Sequence, residues 1–148
     1  MTSPAAYVRV ELPWPDKRLS PNARPNRYEL GRVKSGARAT GRIMTKAAKP
    51  PRFMPDAPLC VTTTFYPPDS RPRDEDNLKA SMKAAYDGIA DAIGVDDKHF
   101  RHQPIRIGEP IKGGMVVVEL EAIDTWEHVS EPASRVIASI PNPKRGAA

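Results

Sequence analysis

Aspartates stand at both ends of the stretch from Arg71 to Asp97, and their spacing suits chemistry on a phosphodiester. Asp74 and Asp76 precede a helical pattern, and Asp96 and Asp97 follow it. Because Asp74 and Asp76 are two positions apart, both side chains project to the same side of an extended backbone. If the chain reverses after the helix, three or four carboxylates converge beside a lysine. Such a group of oxygen ligands binds hard divalent cations that act on phosphate esters.

A single amphipathic helix is predicted between the two acidic pairs. Apolar residues recur at helical spacing from Leu78 to Ile93, and Gly94 suits the left-handed position that ends a helix. The charged residues that one continuous helix would place within roughly 80° of one another are Asp76, Lys79, Lys83 and Asp87. The helix would therefore carry a lysine on the same side as the second aspartate.

The first acidic pair also admits simpler explanations. A calcium-binding loop would need an oxygen ligand and then a glycine where Leu78 and Lys79 stand, so that motif does not fit. A phosphotransferase nucleophile normally follows directly on an apolar strand, and residues 67–73 intervene here. Asp74 or Asp76 could instead cap the start of the helix. The residues alone leave catalysis and capping equally open.

The charge distribution favours binding to nucleic acid. The net charge is +5, and residues 1–52 carry twelve lysines and arginines against three acids. Residues 74–97 carry seven acids against two lysines. A basic surface attracts the phosphate backbone, and an acidic cluster can hold the cations that offset repulsion at a scissile phosphate. The same distribution would also arise from a solvated basic loop beside an acidic helix end.

The length and composition indicate one intracellular domain. A chain of 148 residues is long enough for one core, and no apolar run approaches the ~20 residues that cross a membrane. The N-terminus lacks the basic and apolar regions of a secretory signal. Cys60, the only cysteine, lies in an apolar run and is expected to be a buried thiol. We therefore expect a cytoplasmic protein.

The hydrophobic patterns predict a small α+β domain over residues 1–123, followed by a loosely ordered C-terminal tail over residues 124–148. The tail could alternatively dock on a partner subunit. The predicted strands are residues 7–12, 57–66, 100–107 and 115–123. They would form a mixed or antiparallel sheet with the long helix packed on it, and Pro104 would place the third strand at an edge or bulge.

The basic segment between the first two strands has weaker signals. Residues 16–34 are predicted to be an extended loop, with a short strand near residues 28–33. Residues 35–49 could be helical, although Gly36 and Gly41 disfavour a helix. We therefore expect little regular structure in this segment before residue 35.

The motif pattern resembles the core of the RusA-type Holliday junction resolvases. That family has an R-R-D-x-D-N-x-x-K helix start, a K-A-x-x-D-A/G-L/I stretch and a closing D-D pair. The matching runs are residues 71–78, 83–89 and 96–97, with further matches at residues 12–15 and 111–114. The D-x-D-N and D-D parts are fairly specific, because they constrain residue types at both ends of one helix.

The resemblance implies a RusA-like fold and a homodimeric, Mg²⁺-dependent endonuclease that resolves four-way DNA junctions by paired symmetric nicks. Mn²⁺ would be an alternative ion. Carried over residue by residue, Asp74, Asp76 and Asp97 would hold the metal, with Asp96 as a fourth ligand. The bound ions would activate a water and neutralise the leaving oxygen. The family also implies a role in DNA recombination and repair in a bacterial or phage-infected cell.

The catalytic lysine of the family does not align directly. It follows the second aspartate by four residues, and Ala80 stands at that position here. Lys79 fits the helix start without a gap, whereas Lys83 fits the K-A-x-x-D run if about one helical turn has been inserted. Either ammonium group would stabilise charge on the phosphate in the transition state. We favour Lys83.

Basic residues around the acidic pair would contact the DNA, and binding would weaken steeply with salt. The candidate DNA-binding residues are Arg18, Arg24, Arg27, Arg32, Lys34, Arg71 and Arg73. A C2 dimer would present two active sites to a two-fold symmetric junction. Two alternatives stay open: a non-catalytic DNA-binding or replication-accessory protein, and a metal nuclease for other branched DNA.

Overall fold

A computed structural model describes residues 6–123 of the chain, which form an α+β fold. Two short 3-10 turns, Lys17–Leu19 and Asp97–His99, accompany the regular elements. The strands and helices in chain order are β1 (Tyr7–Leu12), α1 (Arg27–Ala47), β2 (Leu59–Tyr66), α2 (Glu75–Ala80), α3 (Lys83–Ile93), β3 (Phe100–His102), β4 (Arg106–Ile107) and β5 (Met115–Ala122). The predicted tail, residues 124–148, lies outside the described residues.

The sheet is mixed, with the strand order β1-β5-β2-β3 and with β4 also paired to β2. Strand β5 is antiparallel to both β1 and β2, and β3 and β4 are parallel to β2. The predicted α+β class with a mixed sheet is confirmed. The third predicted strand is divided into β3 and β4, with Pro104 between them, because proline cannot donate to the ladder.

One hydrophobic core joins the sheet to the helices. Alternate residues of β1 point into it, and β2 and β5 contribute fully buried valine, leucine and phenylalanine side chains. The apolar stripe predicted from residue 78 onward packs here, with Leu78, Met82, Tyr86 and Ile89 buried. The Tyr86 hydroxyl and the Thr63 hydroxyl lie 2.6 Å apart across this interface. The hydrogen bond fixes α3 against the central strand.

Helices α1 and α3 cross with their backbones in close contact. A Cβ atom at Gly41 of α1 would lie 2.5 Å from the carbonyl oxygen of Ala85, and one at Gly88 of α3 would overlap the carbonyl oxygen of Arg38. Glycine is required at both positions because any side chain would force the two helices apart. The crossing therefore holds α3 and its side chains at a fixed position.

The predicted loop over residues 16–34, with its strand near residues 28–33, is wrong beyond residue 26. Helix α1 begins at Arg27, where the Asn26 side chain accepts a hydrogen bond from the backbone N–H of Glu29 at 2.7 Å. This pattern of Asn followed three residues later by Glu is a helix start signal. Helix propensity alone disfavours Gly41 within a helix. Its close packing on α3 outweighs the destabilisation that glycine causes there.

The single helix predicted after the first acidic pair is also wrong in one respect. It is divided into α2 and α3 by a break at Ser81 and Met82. The Ser81 hydroxyl donates to the carbonyl oxygen of Leu78 at 2.7 Å and competes with the helical hydrogen-bond pattern. The predicted end at Gly94 is confirmed, because this residue has a φ of 71° and caps α3.

Two further expectations concern burial and membranes. Cys60 is buried in β2, as predicted, and its burial raises the pKa of the thiol. Within residues 6–123, no helix is long and apolar enough to cross a membrane.

Candidate functional site

Asp74 is the N-cap of α2. Its Oδ1 atom accepts hydrogen bonds from the backbone N–H groups of Asp76 at 2.8 Å and Asn77 at 3.2 Å. The capping alternative is therefore confirmed for Asp74, although both bonds use one carboxylate oxygen. Asp76 is exposed in the first turn, where the positive end of the helix favours an acid. The backbone thus presents Asp76 at the surface and fixes Asp74 beside it.

Lys83 meets the second acidic pair. As the first residue of α3, it places its Nζ atom 2.6 Å from Oδ2 of Asp97 and 3.0 Å from Oδ1 of Asp87, one helical turn along. Asp97 comes within reach because Gly94 ends the helix and the following turn brings the chain back. Asp96 is engaged locally, since its Oδ1 atom accepts from the backbone N–H of Lys98 at 3.0 Å.

The two partners change each other's ionisation. The hydrogen bond to Asp97 makes the largest contribution to raising the pKa of Lys83, and the hydrogen bond to Asp87 raises it further. The Lys83 ammonium in turn lowers the pKa of Asp97, more than desolvation raises it. The lysine is therefore charged at neutral pH, and so is Asp97. Of the two candidate lysines, the structure brings Lys83 to Asp97.

The four predicted metal ligands divide into two groups. Asp74 and Asp76 lie at the start of α2, and Asp96 and Asp97 lie beyond the end of α3. In the part of the chain that the structure describes, no three His, Cys, Asp or Glu side chains form a group that could hold a metal ion. The carboxylate chemistry suits Mg²⁺, but the positions shown do not make a complete ligand set.

Lys79 and His102 border this region. The His102 ring packs on the Tyr86 ring with 4.7 Å between centroids, although its side chain is exposed overall. Desolvation lowers the pKa of His102, Lys79 and Lys83 lower it further, and Asp97 opposes them. The imidazole is therefore neutral at neutral pH, and Lys79 is close enough to affect it without contacting Asp97.

Arg38 and Asp87 were not predicted as site residues. Arg38 of α1 holds Asp91 of α3 in a two-bond ion pair, at 2.7 and 2.9 Å. Arg38, Asp87, Asp91 and Asp97 line a cavity of about 390 Å³ at the end of α3. The spacing of Lys83 and Asp87 was a signal for that pair, since residues four apart on a helix are neighbours. No sequence signal joined Arg38 to Asp91.

The predicted DNA-binding residues fall into two sets. Arg18, Arg71 and Arg73 are held in ion pairs with nearby acids. One of these acids, Asp16, has its pKa lowered to about 2, chiefly by its hydrogen bonds with Arg18. Four residues on and just before α1 are exposed and form no ion pair with any of residues 6–123; they are Arg24, Arg27, Arg32 and Lys34.

Trp14, which follows β1, contacts both the sheet and the segment before α2. Its ring meets Phe65 edge-on at 5.9 Å, and the Arg73 guanidinium lies 5.4 Å from its centroid. A cavity of about 670 Å³ runs from Trp14 along α1 past Arg32. The lining of this larger cavity includes Asp16 and Glu29 but none of Asp74, Asp76, Asp96 and Asp97.

Comparison with known proteins identifies a relative of this chain. No family model matches the chain. A protein of Xylella fastidiosa (strain Temecula1 / ATCC 700964), described as an uncharacterized protein, is 36% identical over 116 residues. The match covers 77% of this chain and 76% of that protein.

Proposed function

We propose that this chain, which belongs to the same family as the uncharacterized protein of Xylella fastidiosa, is a Mg²⁺-dependent endodeoxyribonuclease for four-way DNA junctions. It would cut them by paired symmetric nicks. The observation that carries the proposal is the contact of 2.6 Å between Lys83, the first residue of α3, and Asp97, which follows the end of α3. Asp76 lies on the preceding helix, α2. The resemblance to RusA-type resolvases over residues 71–97 supports the same chemistry.

Asp74, Asp76 and Asp97 would hold the ion, with Asp96 as a fourth ligand. When bound, Mg²⁺ or Mn²⁺ would supply Lewis-acid stabilisation of charge on the phosphate. The capping bonds of Asp74 leave its second carboxylate oxygen outside those contacts. The two acidic groups would have to approach each other, because residues 6–123 show no complete ligand set. Loading with the ion would therefore be coupled to a shift of α2.

The cationic side chains would act on the phosphate directly. The Lys83 ammonium is charged and lies at Asp97, so it can donate hydrogen bonds to a phosphate oxygen as negative charge develops there. Lys79 is exposed on α2 and would add a more distant positive charge. Asn77 would support a neighbouring carboxylate from the same turn of α2.

The exposed basic side chains near the start of α1 would bind the junction arms through phosphates. Those of Arg24, Arg27, Arg32 and Lys34 need not break an ion pair with residues 6–123 to do so. Each phosphate contact would release counterions, so affinity would fall steeply as salt rises. A C2 homodimer would place two such sites on a two-fold symmetric junction. The reaction would serve DNA recombination and repair in the cytoplasm of a bacterial or phage-infected cell.

One observation favours an alternative, a non-catalytic DNA-binding or replication-accessory protein. Asp74 already has a structural role as a helix cap, and no group of three ligands is formed among residues 6–123. On this alternative, Asp76→Asn would leave function intact and Mg²⁺ would be irrelevant.

Cleavage of a labelled four-way junction in Mg²⁺ and in EDTA tests the proposal, with a linear duplex of the same sequence as control. Wild type should nick the junction in pairs near the crossover, only with Mg²⁺ or Mn²⁺. Asp76→Asn should lower the cleavage rate by at least about 100-fold. The variant loses a ligand of the metal ion, which stabilises charge on the phosphate in the transition state by several kcal/mol. Binding of the junction without cleavage in either ion would contradict the proposal. Faster cleavage of flaps than of junctions would identify a nuclease of other specificity.

A further inference from the structure

The Lys83 ammonium has two carboxylate partners. Its Nζ atom donates to Asp97 at 2.6 Å and to Asp87 at 3.0 Å, and both carboxylates are partly buried, with 36% and 27% of their side chains exposed. The lysine side chain itself is 70% exposed. A long, exposed lysine loses much rotamer entropy when it is fixed, so one surface partner contributes little. Two carboxylate partners restrict the ammonium more than one does.

Asp97 and Asp87, the two partners of Lys83, differ in their proposed further roles. Asp97 would also bind the metal ion, and it cannot keep its full contact with Lys83 when a cation takes its oxygens. Asp87 is on α3, one turn from Lys83 on the same helix, and that helix is fixed by the Gly41 and Gly88 crossing. Asp87 can therefore keep its contact while Asp97 changes partner.

We propose that Asp87 is a positioning residue, which keeps the Lys83 ammonium at the edge of the site when Asp97 exchanges the lysine for a cation. This inference rests on the proposed function, because it assigns Asp87 a part in that reaction. Asp91, one turn further along α3, is the natural comparison. It is also a carboxylate in an ion pair, but its partner is Arg38 rather than Lys83.

A double-mutant cycle on junction cleavage tests the assignment. Asp87→Asn should lower kcat by about 10- to 100-fold, as small misplacements of catalytic groups do, with KM changed by less than about twofold. In a Lys83→Gln background the same change should cost less than about twofold, since the group it positions is gone. Asp91→Asn should stay within about twofold of wild type. An equal loss from Asp87→Asn in both backgrounds, or an equal loss in Asp91→Asn, would overturn the inference.

A second readout does not need activity. In Asp97→Asn, without metal or DNA, the Lys83 side-chain ammonium should still give a slowly exchanging ¹⁵N–¹H signal, because Asp87 holds it. The signal should disappear in Asp97→Asn/Asp87→Asn. Its absence from the single variant, or its persistence in the double variant, would refute the positioning role. If wild type cuts no branched DNA, the proposed function fails, whereas this measurement still decides whether Asp87 holds Lys83.

Discussion

The two helices that follow the strand β2 are held in different ways. Helix α3 lies against α1 with backbone contacts at Gly41 and Gly88, and it contributes Tyr86 and Ile89 to the core. Helix α2 is only six residues long and buries a single residue, Leu78. Its start is held by the capping bonds of Asp74 rather than by packing.

This difference separates the candidate site into a fixed half and an adjustable half. Lys83, Asp87 and Asp97 belong to the fixed half, since α3 and the turn after it position them. Asp74 and Asp76 belong to the adjustable half, because a short helix with one core residue can move at small cost. The break at Ser81 and Met82 lies between the two halves. The comparison predicts that damage to α3 costs stability, and that damage to α2 costs mainly activity.

The largest effect should come from the helix crossing. Gly88→Ala should lower the free energy of unfolding by about 3 kcal/mol, because its Cβ would overlap the backbone of Arg38. Gly31→Ala, on the exposed side of α1, should raise it by about 0.5 to 1 kcal/mol, since a Cβ there meets nothing within 4 Å. Urea denaturation of the two variants measures both. A Gly88→Ala protein as stable as wild type would show that the crossing is not fixed.

Substitutions of Asp74 should distinguish its role as a helix cap from its proposed role as a metal ligand. Asp74→Ala should cost about 1 kcal/mol in unfolding free energy through the lost cap, whereas Asp74→Asn should keep the cap and cost little. Both variants should lose Mg²⁺-dependent cleavage, because neither supplies a carboxylate. Thermal denaturation and junction cleavage, measured on the same preparations, check the two parts. Full cleavage by Asp74→Asn would leave Asp74 with a capping role only.

The smallest effect should be the pH dependence of the pair formed by Lys83 and Asp97. The folded-state pKa of Asp97 is lowered, so the stabilisation is present above its unfolded pKa, near 4, and is lost as pH falls through the folded value. Because both side chains are partly exposed, the pair should contribute at most about 1 kcal/mol. The difference in unfolding free energy between wild type and Asp97→Asn should be constant from about pH 8 to 5 and should shrink below about pH 4.

Lys83→Gln is the matched control for this pH dependence, since it removes the other partner of the same ion pair. Its stability difference from wild type should shrink over the same acidic range. A difference that grows as the pH falls would have the opposite sign and would exclude a lowered pKa for Asp97.

Patterns of local origin were predictable from the sequence. Strand β1, the end of α3 at Gly94 and the burial of Cys60 follow from alternation, a left-handed cap and composition. The start of α1 was missed although Asn26 and Glu29 carried a capping signal, because prolines and arginines around them favoured a loop. Each of these features is determined by a few residues that are neighbours in the sequence.

Features that depend on tertiary contact were not predictable. Gly41 weakens a helix by propensity, and only the approach of Ala85 explains why it is needed. The break at Ser81 and Met82 divides the predicted helix between Asp76 and Lys83. The contact between Lys83 and Asp97 depends on the turn after α3, whereas the contact between Lys83 and Asp87 follows from their spacing on one helix.

Binding of Mn²⁺, followed by electron paramagnetic resonance without DNA, tests most directly whether the two halves form one site. We expect wild type to bind the ion, and we expect Asp76→Asn on α2 and Asp97→Asn after α3 to weaken the same binding event by at least about tenfold each. Asp91→Asn should bind as wild type does. If Asp76→Asn leaves Mn²⁺ binding unchanged, or if wild type binds no Mn²⁺, the two acidic groups do not form a common metal site.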